Sequence, residues 1–208
     1  MRSFIIKSAL AGALALSLAA GGAVVAQAAL TQNPAEVTAG SYDLDSGHGK
    51  ITWSVNHLGF STYTGQFVNV KAELKLDPRN PSASTLTATV PLADVAPNDD
   101  RLKAHLLTPD FFDAANHPTA TFTSRSVTVH PGAANQATVV GDLTLHGVTK
   151  PVTIEVTFNQ AGAVRDTYKA GFDGVATIKR SDFGINYALP AVSDEVKLHL
   201  EGEFNLKK

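Results

Sequence analysis

The amino-acid sequence predicts an all-β domain of about eight antiparallel strands with a short helical insert. Three observations carry that expectation. From Ser41 onward apolar and polar residues alternate with period two over most of the chain, the pattern of strands with one dry and one wet face. A single stretch, Asp94 to Asn116, breaks the alternation. No linker-like shift in composition and no internal repeat divides residues 41–208, so they form one domain.

The clearest strands come in order along the chain. Val68, Val70, Ala72, Leu74 and Leu76 alternate with Asn69, Lys71, Glu73 and Lys75. Leu86, Ala88, Val90 and Leu92 follow Thr85, Thr87 and Thr89, and Val152, Ile154, Val156 and Phe158 alternate with Thr153, Glu155 and Thr157. Near the C terminus Val196, Leu198, Leu200, Gly202 and Phe204 alternate with Lys197, His199, Glu201 and Glu203. Weaker versions over 42–45, 50–57, 119–129, 138–145 and 168–179 bring the total to eight or nine. In the interrupting stretch Asp99-Asp100 precede RLKAHLL, and Thr108-Pro109-Asp110 offers a cap, a first helical position and a charge that suits the helix dipole. One or two short helices are expected within 99–116. Strands with one apolar face each must bury those faces together, in a two-sheet sandwich or a closed barrel. A barrel interior either fills with side chains or holds a ligand. The period alone does not choose among these.

Composition narrows the function. Apolar residues at 44% with 17% charged residues exclude a disordered chain. Residues 1–28 read as a secretory signal: Arg2 and Lys7 give the positive start, Ser8 to Val25 the apolar run, and Ala26-Gln27-Ala28 the small-x-small cleavage pattern. An uncleaved anchor is the alternative, weakened by Gly21-Gly22. Cleavage after Ala28, or after Ala29, would leave a soluble exported chain in a bacterial periplasm, with residues 29–40 as a flexible leader. Removing Arg2 and Lys7 leaves 15 basic against 19 acidic side chains, a net charge of −4. Such a chain has no broad positive field for nucleic acid. Cysteine is absent, which excludes disulfides, thiolate catalysis, thiolate-bound zinc, iron–sulfur clusters and covalently attached haem.

Polar motifs point to no reaction. The seven His residues show no HxH, HxxxH or HExxH spacing, so no metal site is expected. His146 sits in a turn, LTLHGVTKP, where a structural role fits best. There is no G-x-S-x-G elbow and no glycine-rich phosphate loop. Asp43, Asp45, Asp110, Asp113 and Asp182 fall near turns or helix starts, where Asp caps backbone N–H groups. Arg180-Ser181-Asp182-Phe183-Gly184 reads either as a contact for an anionic head group through Arg180 or as a turn held by Arg and Asp side chains. The aromatic residues are more informative: ten Phe, four Tyr and one Trp include Trp53, Phe67, Phe111, Phe112, Phe122, Phe158, Phe172 and Phe183. They either form a solid core or line a cavity. A bound tail burying roughly 500 Å² would gain about 12 kcal/mol gross at ~25 cal/mol per Å², partly offset by association and ordering. In strand 50–57 the apolar set Ile51, Trp53, Val55 and His57 should face the interior. Trp53 and Val55 are therefore expected on a cavity wall, with Phe111 and Phe112 at its entrance; the alternative is that this insert plugs the barrel.

Four motifs in order resemble the YceI-like family of polyisoprenoid-binding proteins. They are Tyr42-Asp43-Leu44-Asp45 with His48, Ile51-Thr52-Trp53-Ser54-Val55-Asn56-His57-Leu58 and Gly65-Gln66-Phe67; His105-Leu106, Pro109-Asp110-Phe111-Phe112-Asp113 and His117-Pro118-Thr119-Ala120-Thr121-Phe122; Gly141-Asp142-Leu143-Thr144-Leu145-His146-Gly147-Val148-Thr149-Lys150-Pro151-Val152; and Arg180-Ser181-Asp182-Phe183-Gly184-Ile185. Gly49 stands where the family often has Ser, and Leu102 where many members carry Arg. The resemblance implies a lipocalin-like barrel that holds a polyisoprenoid, quinone-like or similar apolar lipid in an exported bacterial protein. It implies a non-catalytic carrier without a cofactor. A packed barrel acting through a surface contact with a membrane or envelope protein, and an enzyme acting on a lipid, are the alternatives.

Overall fold

The computed structural model describes residues 30–208, and the predicted secretory segment 1–28 lies outside them. Among the described residues eleven strand segments and one α-helix occur. Six of the segments are halves of longer lines. β1 (Gly40–Leu44) and β2 (Lys50–His57) run along the same neighbour, β11 (Glu195–Leu206): Leu44 pairs with Phe204 and Lys50 with Glu201. β3 (Ser61–Phe67) and β4 (Lys71–Leu76) form a second interrupted line. β5 (Thr85–Pro91) and β6 (Val95–Ala96) form a third, broken by a 3-10 turn at Leu92–Asp94. β7 (Thr119–His130), β8 (Ala133–Leu145), β9 (Val148–Val164) and β10 (Thr167–Lys179) are continuous. Each line pairs antiparallel with the next, and β11 returns to β1 and β2. The result is a closed eight-stranded up-and-down barrel, in which each line finds a partner on both sides along most of its length.

Closure follows from the alternation. On β2 the inward set Ile51, Trp53 and Val55 lies opposite Phe67, Gly65 and Tyr63 of β3. The middle of the barrel is filled by Val70, Val90, Leu92, Phe122, Val139, Ile154, Ile178 and Phe183. At one end the helix α1 (Asp100–Leu106) and the turn after it cap the barrel, packing Leu106, Phe111 and Phe112 against Trp53, Val95, Tyr63 and Phe67. Asp99 caps α1 by accepting from the N–H groups of Arg101 (2.7 Å) and Leu102 (3.2 Å). No second helix starts at Thr108. Its hydroxyl donates back to the His105 carbonyl (2.7 Å), closing the first helix rather than opening another.

Gly65 shows how tightly this end is packed. A Cβ there would lie 2.3 Å from Cζ2 of Trp53, so the indole occupies the space that any other residue would need. Gly65→Ala is expected to lower stability by about 1–3 kcal/mol through overpacking, read from the urea midpoint. A midpoint equal to the parent's would show that Trp53 yields freely.

Residues 30–40, expected to be a flexible leader, are built into the opposite end. Thr31 exchanges two backbone hydrogen bonds with Ala161 (2.7 and 2.8 Å). Asn33 caps a 3-10 turn at Pro34–Glu36, and Val37 is buried with Tyr42, Phe158 and Phe204. The Tyr42 hydroxyl donates to the Thr38 carbonyl, and burial pushes its pKa up to about 12. Polar composition hid this docking because one residue, Val37, supplies the buried anchor.

Candidate functional site

The half of the barrel away from α1 is hollow. A cavity of about 220 Å³ lies inside it. Its wall is made of inward aliphatic side chains such as Leu44, Leu74, Leu86, Val129 and Val156, together with Phe158, Phe172 and Phe204. Small residues at inward positions leave the space: Ala72 and Ala88 face each other across β4 and β5, and Gly174 and Gly202 take inward positions on β10 and β11. Val70, Val139 and Ile154 belong both to the wall and to the packed middle, so they floor the cavity. It reaches the end of the barrel between the β4–β5 connection (Asp77, Pro78, Pro81, Ser84) and the start of β8 (Ala134–Gln136).

The rim is held by its own hydrogen bonds. The Asp77 carboxylate accepts from the N–H groups of Arg79 and Asn80 (both 3.0 Å), while the Asp77 N–H donates to the buried Ser84 hydroxyl (2.9 Å). Pro34 and Val37 of the docked N-terminal segment complete the wall.

Only two of the aromatic residues singled out from sequence, Phe158 and Phe172, line this cavity. Trp53, Val55 and Phe67 pack with Phe111 and Phe112 at the capped end. The insert is thus a plug, and the expected placement of Trp53 and Val55 on the wall with Phe111 and Phe112 at the entrance is corrected. The reason is size: the Trp53 indole takes the space beside Gly65, and the apolar face of the insert packs onto it. His57 is exposed at the end of β2. Phe122 and Phe183 are buried in the middle core rather than on the wall. The residues missed, Ala72, Leu74, Leu86 and Ala88 above all, carried a usable signal in their smallness or aliphatic character at inward positions.

Arg180 is not a head-group contact. It is 5% exposed, and its guanidinium donates to four carbonyls: Ser193 (2.9 Å), Ile185 (3.1 Å), Tyr187 (2.7 Å) and Val192 (2.9 Å). Burial lowers its pKa, an effect the nearby Asp194 opposes. The Asp194 carboxylate accepts from the N–H and hydroxyl of Ser181 (2.8 and 2.7 Å), which holds its own pKa down. The side chains therefore tie the 180–194 connection together, the second of the two readings of this motif.

Outside the barrel, at the break between β1 and β2, Asp45, His48 and Glu203 bring possible ligand atoms within 4.8 Å of one another. Sequence spacing gave no sign of this grouping, since Glu203 arrives from β11. Lys169 offsets part of its charge, its ammonium lying 3.0 Å from Asp45 and 3.1 Å from Glu203. Burial pulls the Lys169 pKa down, but the two carboxylates more than offset it and the net shift is upward. The Lys169 and His48 hydrogen bonds lower the Asp45 pKa from 3.8 to about 2. A carboxylate with a depressed folded-state pKa stabilises the fold above its unfolded value and loses that contribution as pH falls through the folded one. Asp45→Asn should therefore flatten the acid limb of stability between about pH 4 and pH 2, seen by thermal melts across that range. An unchanged acid limb would show that this pair contributes nothing.

The chain is similar to known proteins across nearly the whole barrel. The YceI-like domain family matches residues 42–204. A UPF0312 protein of Pseudomonas aeruginosa is 38% identical over 162 residues, covering 77% of this chain and 83% of the relative. A UPF0312 protein of Vibrio cholerae is 37% identical over 183 residues, covering 86% and 95%. Among solved structures, BcnA of Burkholderia cenocepacia superimposes with a TM-score of 0.70 at 29% identity, covering 77% of this chain and 98% of that one. The Campylobacter jejuni YCEI protein gives 0.64 at 30% identity, covering 73% and 90%. A polyisoprenoid binding domain from Saccharophagus degradans shares the fold, with a TM-score of 0.61 at 16% identity and coverage of 80% and 98%. With the barrel, the motifs and the family match all spanning the same residues, the chain belongs to the YceI family.

Proposed function

We propose that this protein binds an apolar chain, an isoprenoid or similar lipid, in the hollow half of its barrel and carries or sequesters it without chemical change. The observation that supports this reading is the cavity itself: an interior space of about 220 Å³ walled by aliphatic and aromatic side chains. An apolar hollow among packed side chains is costly unless something fills it. The hollow favours this reading over a solidly packed barrel that acts only through its surface. The similarity to a polyisoprenoid binding domain accords with the chemistry of the wall. Export fits the same reading, with residues 1–28 removed and the carrier working in the periplasm.

The test is to purify the protein from its native envelope, extract it and analyse the extract by mass spectrometry. A stoichiometric apolar lipid is the expected result. A chain recovered empty that also refuses an added apolar probe would refute carriage, and turnover of the lipid would make it an enzyme. The same preparation tests export, since the N terminus should fall within a residue or two of Ala29; an intact Met1 in the membrane fraction would sink the soluble-carrier reading.

A further inference from the structure

The N-terminal segment brings an apolar side chain of its own into the hollow end of the barrel. The β8–β9 ladder ends at the Gln136–Thr157 pair, and beyond it β9 takes Thr31 as a partner through the two hydrogen bonds with Ala161. The chain then crosses to β1, which lies on the far side of β10 and β11. On the way Val37, 6% exposed, packs among Tyr42, Phe158, Ala161, Ala170 and Phe204. Phe158 and Phe204 also line the cavity, as do Pro34 and Val37 themselves. The space that Val37 fills therefore adjoins the hollow and shares two aromatic walls with it.

This part of the enclosure gives way most easily. The barrel strands are held by ladders along their length. Residues 31–38 are held by the Thr31–Ala161 pair, by two hydrogen bonds at Thr38 and by Val37. The Thr38 N–H donates to the Tyr168 hydroxyl (3.1 Å), and its carbonyl accepts from the Tyr42 hydroxyl. Segments with so few buried contacts open at a lower free energy than core strands. Within the segment the Glu36 carboxylate accepts from the Thr31 hydroxyl and from the Asn33 amide (3.0 Å), so it holds its own shape. In the other direction Val70, Val139 and Ile154 floor the hollow, with the packed plug around Trp53 beyond them. At about 220 Å³ the hollow is smaller than the ~300–1,000 Å³ of sites that enclose a drug-sized ligand. A long apolar chain needs more lumen than stands open, and the place of Val37 adjoins it, with the small Ala161 and Ala170 on its wall.

Resting on the reading of the barrel as a carrier, we propose that Val37 is an internal stand-in for ligand and sets the length of chain that binds. A short tail fits the hollow with residues 31–38 docked. A longer tail takes the place of Val37, and the segment leaves the edge of β9. The chain's apolar surface replaces that of the valine, so no void remains beside Phe158 and Phe204. Docking of the segment and binding of a long chain exclude one another. Weakening the dock therefore raises the apparent affinity for the long chain and leaves that for the short one unchanged.

The experiment measures displacement of a small neutral fluorescent apolar probe from the delipidated protein by geraniol and geranylgeraniol, ten- and twenty-carbon chains with the same alcohol end. Amide hydrogen exchange of the parent is followed with each alcohol bound. Geranylgeraniol, and not geraniol, should speed exchange at the Thr31, Thr38 and Ala161 amides at least tenfold. Thr31→Pro removes one donor to Ala161 without touching the cavity wall, and Val37→Ala shortens the anchor. Both should raise affinity for geranylgeraniol at least threefold relative to geraniol. If Thr31→Pro loses geraniol as well, Val37→Ala and the exchange of the parent decide. Exchange that is unchanged or slower with geranylgeraniol bound, or variants that keep the parent's ratio of affinities, would overturn the proposal. Failure of the probe to bind, or of both alcohols to displace it, would instead remove the carrier reading on which it rests.

Discussion

Arg180→Ala should cost this protein about 4 kcal/mol or more of stability, the largest effect expected from any single surface-distant truncation in the barrel. The side chain is almost wholly buried and donates to the carbonyls of Ile185, Tyr187, Val192 and Ser193. Hydrogen bonds to a charged group contribute roughly 1.5–3 kcal/mol each, and buried acceptors left without donors cost about 1–3 kcal/mol apiece. The four share one donor group, so their effects do not simply add. The connection from Arg180 to Asp194 has little regular structure of its own, and the guanidinium fork replaces the ladder it lacks. Arg180→Lys keeps the charge but offers a point ammonium in place of a planar fork, and should recover less than half of the loss. Arg125→Ala is the control: it breaks an exposed pair with Asp142 (2.6 Å) and should change stability by less than about 1 kcal/mol. Urea unfolding of the three variants decides the matter. An Arg180→Ala protein within about 1 kcal/mol of the parent would mean that water replaces the clamp at no cost.

Much of the barrel was legible because period two survives wherever a strand has one dry face. The long lines β7 to β11 and the two aliphatic strands β4 and β5 carry Val, Leu and Ile at inward positions, and each was visible as alternation. β3 was not. Its sequence STYTGQF offers only Tyr63 and Phe67 inward because Gly65 has surrendered its side-chain volume to Trp53. A glycine that makes room for a partner's ring looks, in one dimension, like a break in the pattern. β6 was hidden for a different reason: a two-residue strand, Val95–Ala96, has no period. The site was less legible than the fold. Alternation tells which residues face inward but not whether the lumen at that level is full, since that depends on the summed volume of side chains from all eight lines. Trp53, Phe67, Phe111 and Phe112 looked like cavity residues for their apolar area, yet large area is what fills a lumen. The hollow lies where Ala72, Ala88, Gly174 and Gly202 leave it. Arg180 was ambiguous because its four acceptors are backbone carbonyls five to thirteen residues away, which no side-chain motif encodes.

Ala88→Phe should abolish most ligand binding while leaving the barrel intact, with apolar-probe affinity falling at least tenfold. Ala88 sits on β5 between Ala72 of β4 and Phe122 of β7 and contributes to the cavity wall. A benzyl group there projects into existing space of about 220 Å³ rather than into packed neighbours. Overpacking strain of about 1–3 kcal/mol arises when a side chain has nowhere to go; here the added apolar surface is buried, and each methylene equivalent returns about 0.8 kcal/mol. Stability should therefore hold within about 1 kcal/mol of the parent or rise. Val55→Trp is the opposite case. Val55 packs in the plug with Tyr63, Phe67 and Phe112, away from the cavity, so the larger ring should lower stability by about 1–3 kcal/mol and leave probe affinity unchanged. Trp53 lies in the same plug, so its emission should not respond when a chain binds at the other end. Fluorescence titration and urea unfolding of both variants separate the two halves of the barrel. If Val55→Trp loses binding while Ala88→Phe retains it, and Trp53 emission follows the titration, the ligand enters through the capped end and the hollow half is not its site.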